Sequence, residues 1–554
     1  MTTFKDKIDE VVLDFLETAV VVDDDPKPLS RRTTKERASA RDETPPIRDA
    51  DQYKLEASPT IEALEAEQQD HPLNAKALTD AFADIGVICL VIAPERDAEI
   101  QTRFLSAAAR ADLVVLDWEI HRDGGETARR LLKAMLDQDK AAKRKRLRFV
   151  AIYSGQDNLG EKIEGMRKHL GLPQEARTGD PMTLMHGNLR IGAFSKPLGS
   201  STATDASARY VAEADLPRRL ASEFACLTDG IVPAVTLAAL AAVRNDTHRV
   251  LLALSSRLDL GYLGHRAVSP FPDDTQDHLV DMVSAEIGSV LSEADVGRLA
   301  GMTTIDAWLQ RARAADAPLR CGSASHPTFD FSSEDIAKIL QTGLSDDRLD
   351  DHTKPRILND RKLKLIRKQA ANLFTNDPSE GDKSADDFSM RMAVRTIYST
   401  PRRVLRLGTI ARNDDQYLVC VQPRCDSVRL KPGHPRQFPF LPFELAGERD
   451  SRYEMVVECP NPEAGLVRLR LRIKPYRLVV FSFEAKDTGK VEARPACDDT
   501  TWVFHDTSEA VFTWVADLKP EFAQRVAVNL AAEIARVGLS ESEQLRLSQD
   551  LRRD

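Results

Sequence analysis

The sequence predicts an α/β domain built on parallel strands, followed by a helical unit and then a β-rich end. Three observations predict this. Between residues 18 and 194, near-continuous apolar runs alternate with stretches of helical spacing, the pattern of parallel strands covered on both faces. From about 205 to 345 the apolar positions keep helical spacing and no strand-length β-branched run interrupts them. Beyond about 398 short alternating runs return, as in a half-exposed antiparallel sheet. At 554 residues the chain is long enough for about three or four domains.

The elements follow in order. Thr18–Val22 is an apolar, β-branched strand that stops at Asp23, Asp24 and Asp25. Residues 26–72 carry eight basic residues, ten acidic residues and six prolines, with no apolar periodicity until Ile61, and read as a disordered insertion. A helix over 74–83, a strand over 87–92, a helix over 98–111 and a strand over 112–118 follow. The spacing of Ala128, Leu131, Leu132, Met135 and Leu136 predicts a helix over 126–143. Arg148–Ser154 is a fourth strand. A helix over 159–170, a polar loop and a strand over 189–194 complete five units. Helices are then expected over 216–227, 232–245, 280–291 and 296–314, with linkers at 346–355 and a polar break at 375–387. Strands are expected over 417–421, 454–459, 467–473, 478–485 and 511–514, and a last helix over 521–537.

Composition bounds the function. Hydrophobic residues make up 42% and charged residues 30%, enough apolar material for sizeable cores. The net charge of −10 argues against a chain that wraps nucleic acid or coats an anionic membrane, leaving only a local basic patch open. Seven scattered cysteines, an odd number, fit a reducing cytoplasm better than a disulfide scaffold. Charges interrupt the amino terminus, and no run approaches the roughly 20 apolar residues of a membrane span, so neither secretion nor insertion is expected.

In a parallel α/β sheet, ligands sit beyond the carboxyl ends of the strands. Here those ends carry Asp23 and Asp24, Asp117, Ser154, and Lys196 followed by Pro197. Carboxylates without interleaved Cys or His suit a hard, oxygen-seeking cation such as Mg²⁺, which prefers an incoming phosphate to an all-protein cage.

This constellation resembles the receiver domain of bacterial two-component response regulators, a flavodoxin-like fold of five units, over about residues 10–225. The acid pair falls on Asp23 and Asp24 in VVVDDDP, the phosphoacceptor on Asp117 in LVVLDW, the hydroxyl on Ser154 in AIYSG and the lysine on Lys196 in FSKP. The resemblance implies that Asp117 takes a phosphoryl group from a histidine kinase. It implies Mg²⁺ held by Asp23, Asp24, Asp117 and the main-chain carbonyl of Glu119, and a cis bond at Lys196-Pro197. The family's mobile aromatic, three positions before the lysine, falls on Ala193, with Phe194 displaced by one. This is a departure from the pattern.

No P-loop, HExxH or GxSxG occurs after the receiver, so the protein reads as a phosphoacceptor signalling protein without a catalytic output domain. Its organisation reads as a receiver over 1–225, a helical domain over 226–345, a linker with basic helices over 346–397 and a β-rich domain over 398–554. The whole is most similar to the large receiver component of Detocs-type anti-phage defence that lacks a toxic effector. That resemblance implies a phosphate buffer in a phosphorelay, with the kinase and another response regulator or effector as partners. A homodimer is left open. The alternative is a phosphorylation-independent scaffold or nucleic-acid-binding regulator that uses the carboxy-terminal half, where Lys362 and Arg367 stand in the strongest basic cluster, although such charges usually form a solvated helix face. Cys420 and Cys425 read as strand and turn packing, because no second pair or nearby His completes a zinc site. His248, His265 and His278 read as ordinary surface or capping residues.

Overall fold

In the computed structural model of the chain, the described residues are 3–24, 26–27, 73–94, 99–142, 146–155, 158–196, 209–313, 320–321, 329–330, 333–343, 370–375, 377–399, 402–447, 453–459, 465–486, 488–496 and 501–535. They form two compact units, Met1–Ala315 and Asp316–Asp554.

The first unit is a three-layer α/β/α sandwich. Its sheet contains β1 (Thr18–Val22), β2 (Ile88–Ile92), β3 (Leu113–Leu116), β4 (Arg148–Ser154), β5 (Thr183–His186) and β6 (Leu189–Ser195) in the order β2-β1-β3-β4-β6-β5. All neighbours are parallel except the edge pair β5 and β6. The first five strands in that order reproduce the flavodoxin-like arrangement. The polar loop expected before residue 189 therefore hides an antiparallel edge strand. Its hairpin turn is made by Gly187 at φ 58°.

The strict alternation of strand side chains sorts the core into two halves. Ala19, Val21, Leu113, Val115, Phe149, Ala151, Tyr153 and Phe194 face α1 (Phe4–Phe15), α2 (Ala75–Asp84), α6 (Leu216–Ala225) and α7 (Ile231–Ala253). Val20, Val22, Val114, Leu116, Val150, Ile152 and Ala193 face α3 (Glu99–Ala108), α4 (Glu126–Ala141) and α5 (Leu159–His169). Helix α1 buries Phe4, Ile8, Val11 and Val12 at helical spacing. Its start is fixed by a capping box in which Thr3 accepts from the Asp6 amide and Asp6 accepts from the Thr3 amide.

After α6 the chain stays in this unit. Helix α7 packs on α1, and Arg244 ties it to the sheet by donating to the Phe15 carbonyl at 2.6 Å and pairing with Asp112 at 3.1 Å. Then follow α8 (Asp259–Val268), α9 (Thr275–Glu293), which returns along α7, and α10 (Met302–Arg313), which packs on α1 and α7. Helix α7 continues eight residues past the predicted 245.

Among the described residues, the second unit is built on a nine-stranded antiparallel sheet. Its strands are β7 (Thr409–Asn413), β8 (Gln416–Cys420), β9 (Arg436–Leu445), β10 (Met455–Glu458), β11 (Leu466–Leu471), β12 (Val479–Phe483), β13 (Arg494–Pro495), β14 (Trp502–His505) and β15 (Val511–Asp517). Strand β9 pairs along one edge first with β12 and then with β11. One face buries Ile410, Val419, Leu441, Val457 and Leu469 with Ala523, Val526 and Leu530 of α13 (Pro520–Ala535). The other buries Phe438, Phe440, Phe483, Phe504 and Phe512 with Cys420.

The polar break expected at 375–387 is corrected: Pro378–Ala393 is helix α12, preceded by α11 (Ser333–Thr342). Asp377 caps α12 by accepting from the Ser379 amide, and Pro378 sits at its start, where no amide donor is needed. Most of the insertion over 26–72, the linker at 346–355 and the basic cluster containing Lys362 and Arg367 lie outside the described residues. At the insertion's edges, Pro26–Lys27 pairs in parallel with Leu73–Asn74.

Candidate acidic phosphoacceptor site

Four adjacent strands, β1, β3, β4 and β6, end at one edge of the sheet, and each delivers a polar residue there. Main-chain bonds fix the delivery. The Asp23 amide donates to the Ile92 carbonyl at 3.2 Å, the Asp117 amide to the Val22 carbonyl at 2.8 Å and the Lys196 amide to the Ser154 carbonyl at 2.9 Å. Each residue thus extends the ladder by one step and turns its side chain past the end of the core.

Lys196 Nζ lies 2.6 Å from Asp23 Oδ2 and 3.3 Å from Asp117 Oδ2. Asp23, Asp117 and Lys196 are buried, at 2%, 7% and 3% exposure, whereas Asp24 reaches solvent. Ser154 is buried at the end of β4, the strand between those that carry Asp117 and Lys196. Asp23, Asp24 and Asp117 each offer an oxygen within 4.8 Å of the others. Asp117 Oδ1 is buried without a hydrogen-bond partner among the described residues. An unpaired buried carboxylate oxygen is costly, and a cation or an incoming ligand would relieve that cost.

The electrostatics follow from this crowding. Burial pushes the Asp117 carboxyl up to about 6; Lys196 opposes the rise and Asp23 adds to it. Burial alone would pull the Lys196 ammonium down, but Asp117 and Asp23 outweigh it and hold it above the usual lysine range. Among the described residues of the cluster, three ionised carboxylates and one lysine sum to two negative charges, the charge that a divalent cation balances. The donor set is hard oxygen throughout, as Mg²⁺ requires.

The loop after Asp117 is tightly specified. Glu119, named from the sequence as a main-chain ligand, has its carbonyl accepting from the Arg122 amide at 2.8 Å, which leaves its second lone pair open. His121 and Arg122 both take left-handed backbone conformations, at φ 64° and 54°. Asp123 then caps α4, accepting from the amides of Gly125, Glu126 and Thr127 at 2.8 to 3.0 Å.

Sequence reading missed three neighbours of the site. The His121 amide donates to Asp24 Oδ2 at 3.0 Å, a main-chain contact with no side-chain signature. Lys196 Nζ lies 5.8 Å from the centre of the Tyr153 ring, and the Tyr153 hydroxyl donates to the Val211 carbonyl at 2.8 Å. Asp123 was legible only as a polar residue before a helix. Phe194 points away from Ala193, into the α1 side of the core, with Arg209 and Arg219 at 5.3 and 5.8 Å from its ring. Pro197, and with it the expected cis bond, lies outside the described residues.

Other polar groups raised from the sequence stand elsewhere. Cys420 is buried in the β8 core and Cys425 is exposed, both as free thiols. His265 and His278 share a hydrogen bond of 3.1 Å on the surface.

A flavodoxin-like sheet with an acid cluster and a lysine at its carboxyl edge defines the receiver class of fold. Comparison of sequences agrees: residues 15–201 match the family described as Response receiver domain, so this chain carries a receiver domain, with the rest of the chain outside the match. No curated protein and no solved structure matches the chain. No described helix is long and apolar enough to cross a membrane.

Proposed function

We propose that the protein is a response regulator that accepts a phosphoryl group on Asp117 from the phosphohistidine of a histidine kinase. The observation that carries this reading is the buried Asp117 carboxylate, with Oδ2 held by Lys196 and Oδ1 unpartnered. A carboxylate oxygen of Asp117 attacks phosphorus; the new O–P bond forms as the P–N bond breaks, and the imidazole leaves and takes up a proton. Lys196 would meet the charge of a phosphoryl oxygen with a compact ammonium, and Ser154 would donate to another. Asp23, Asp24, Asp117 and the Glu119 carbonyl would hold Mg²⁺, which would offset the phosphoryl charge as the two anions approach. The resemblance to the Detocs receiver component carries the finer reading, a buffer that draws phosphoryl groups away from a separate effector.

Intact mass after incubation with Mg²⁺ and an autophosphorylated kinase tests the proposal. One added phosphoryl mass, labile to hydroxylamine and absent from Asp117→Asn, is expected. No addition from a kinase that charges another receiver would sink the phosphoacceptor reading.

A further inference from the structure

The helices after α6 supply nothing to the acid site, yet they carry an extended apolar surface. Leu240, Leu251, Leu252, Leu260, Leu263 and Val280 are 49 to 81% exposed. On α9, Val280, Val283 and Ile287 are spaced three and four apart and form one exposed stripe. Helix α8 buries no residue and α9 buries only Thr275, whereas the first half of α7 is anchored by Ala234, Leu237 and Ala241. Isolated helices shorter than roughly 12–15 residues are marginal in water, as α8 is at ten, and helices in proteins take most of their stability from a covered apolar face. On α7 and α9, the two helices that would pair, the exposed apolar side chains amount to roughly 700 Å², close to the about 800 Å² per partner of a standard specific interface.

The α7–α9 hairpin has the form of half a four-helix bundle, and a second hairpin of the same kind supplies the missing half. Two-fold pairing lets one patch serve both subunits. We infer that the α7–α9 arm packs against the same arm of a second copy of this chain, forming a four-helix bundle that makes the protein a dimer. The acids beside the stripe, Asp277, Asp281 and Glu286, carry like charge in both copies. Arg249 and Arg266 of the arm are already paired within the chain, with Asp246 at 2.8 Å and Asp273 at 2.9 Å, so the contact is expected to be apolar and salt to screen a repulsion.

Sedimentation velocity of the full chain, from about 1 to about 100 µM, tests this. A dimer is expected at the upper end, weakened at least tenfold by Leu252→Glu and by Val283→Glu and left intact by Tyr476→Glu, an exposed position outside the arm. It should persist or tighten at raised salt. Circular dichroism of each variant guards against unfolding, and the milder Leu252→Ala should weaken the dimer in the same direction. A monomer at every concentration overturns the inference, including one whose arm is covered by residues of the same chain. So does a dimer that survives both arm substitutions or dissolves in salt.

Discussion

Asp117 pays for its position with its own hydration, and this makes its ionisation a cost to folding at neutral pH. Its folded value of about 6 stands above the roughly 3.9 of an unfolded aspartate, so between those values the folded chain holds a proton that the unfolded chain has released. Stability attributable to this group is therefore present below about pH 4 and lost as pH rises through 6. Asp117→Asn removes the loss, while Lys196 keeps Asp23 as a partner at 2.6 Å. In EDTA, the variant should be more stable than the wild type at pH 7 by about 1–3 kcal/mol, with the gap closing toward pH 4. Denaturant melts at both pH values measure this, and a variant equally or less stable at pH 7 would contradict it. The acids and the lysine were legible because each follows an apolar run that ends abruptly. The His121 amide and the Tyr153 ring were not, because a main-chain donor and a core aromatic look the same in any strand-end sequence.

At the scale of elements, the connection between β3 and α4 carries the tightest constraint. Gly125 takes φ 84°, and a Cβ there would run into the Trp118 ring. Gly125→Ala combines backbone strain with a clash beside Asp117, and should cost about 2–4 kcal/mol and slow phosphoryl acceptance. Thermal unfolding and the mass assay measure the two effects; an alanine variant matching wild type in both would show the loop to be more yielding than its geometry. The strands of the first unit were legible as apolar runs, and α4 from its periodicity. Helix α1 was not read, although Phe4, Ile8, Val11 and Val12 hold the helical spacing, because intervening charges leave no continuous apolar run. Strand β9 was hidden by Pro439 and Pro442, which read as strand breakers. Pro442 is tolerated at the changeover between β12, which pairs as far as Phe440, and β11, which pairs from Phe443.

At the scale of the molecule, each unit encloses cores of its own, so each is expected to unfold as a separate cooperative step. A ligand that binds one folded unit stabilises that unit alone. Calorimetry should therefore resolve two transitions, of which Mg²⁺ raises one, and Asp23→Asn should abolish the rise. A shift of both transitions, or of neither, would contradict an Mg²⁺ site confined to the receiver. Local pattern could not show that α7 belongs to the receiver's unit, because the α1–α7 contact joins residues more than two hundred positions apart. That same contact has a consequence for synthesis. At about 5–20 residues per second, α1 emerges from the ribosome roughly 10–50 s before α7 is complete. Until then Phe4, Ile8 and Val12 lack their final cover, and the nascent chain carries a sticky helix whose partner is still being translated.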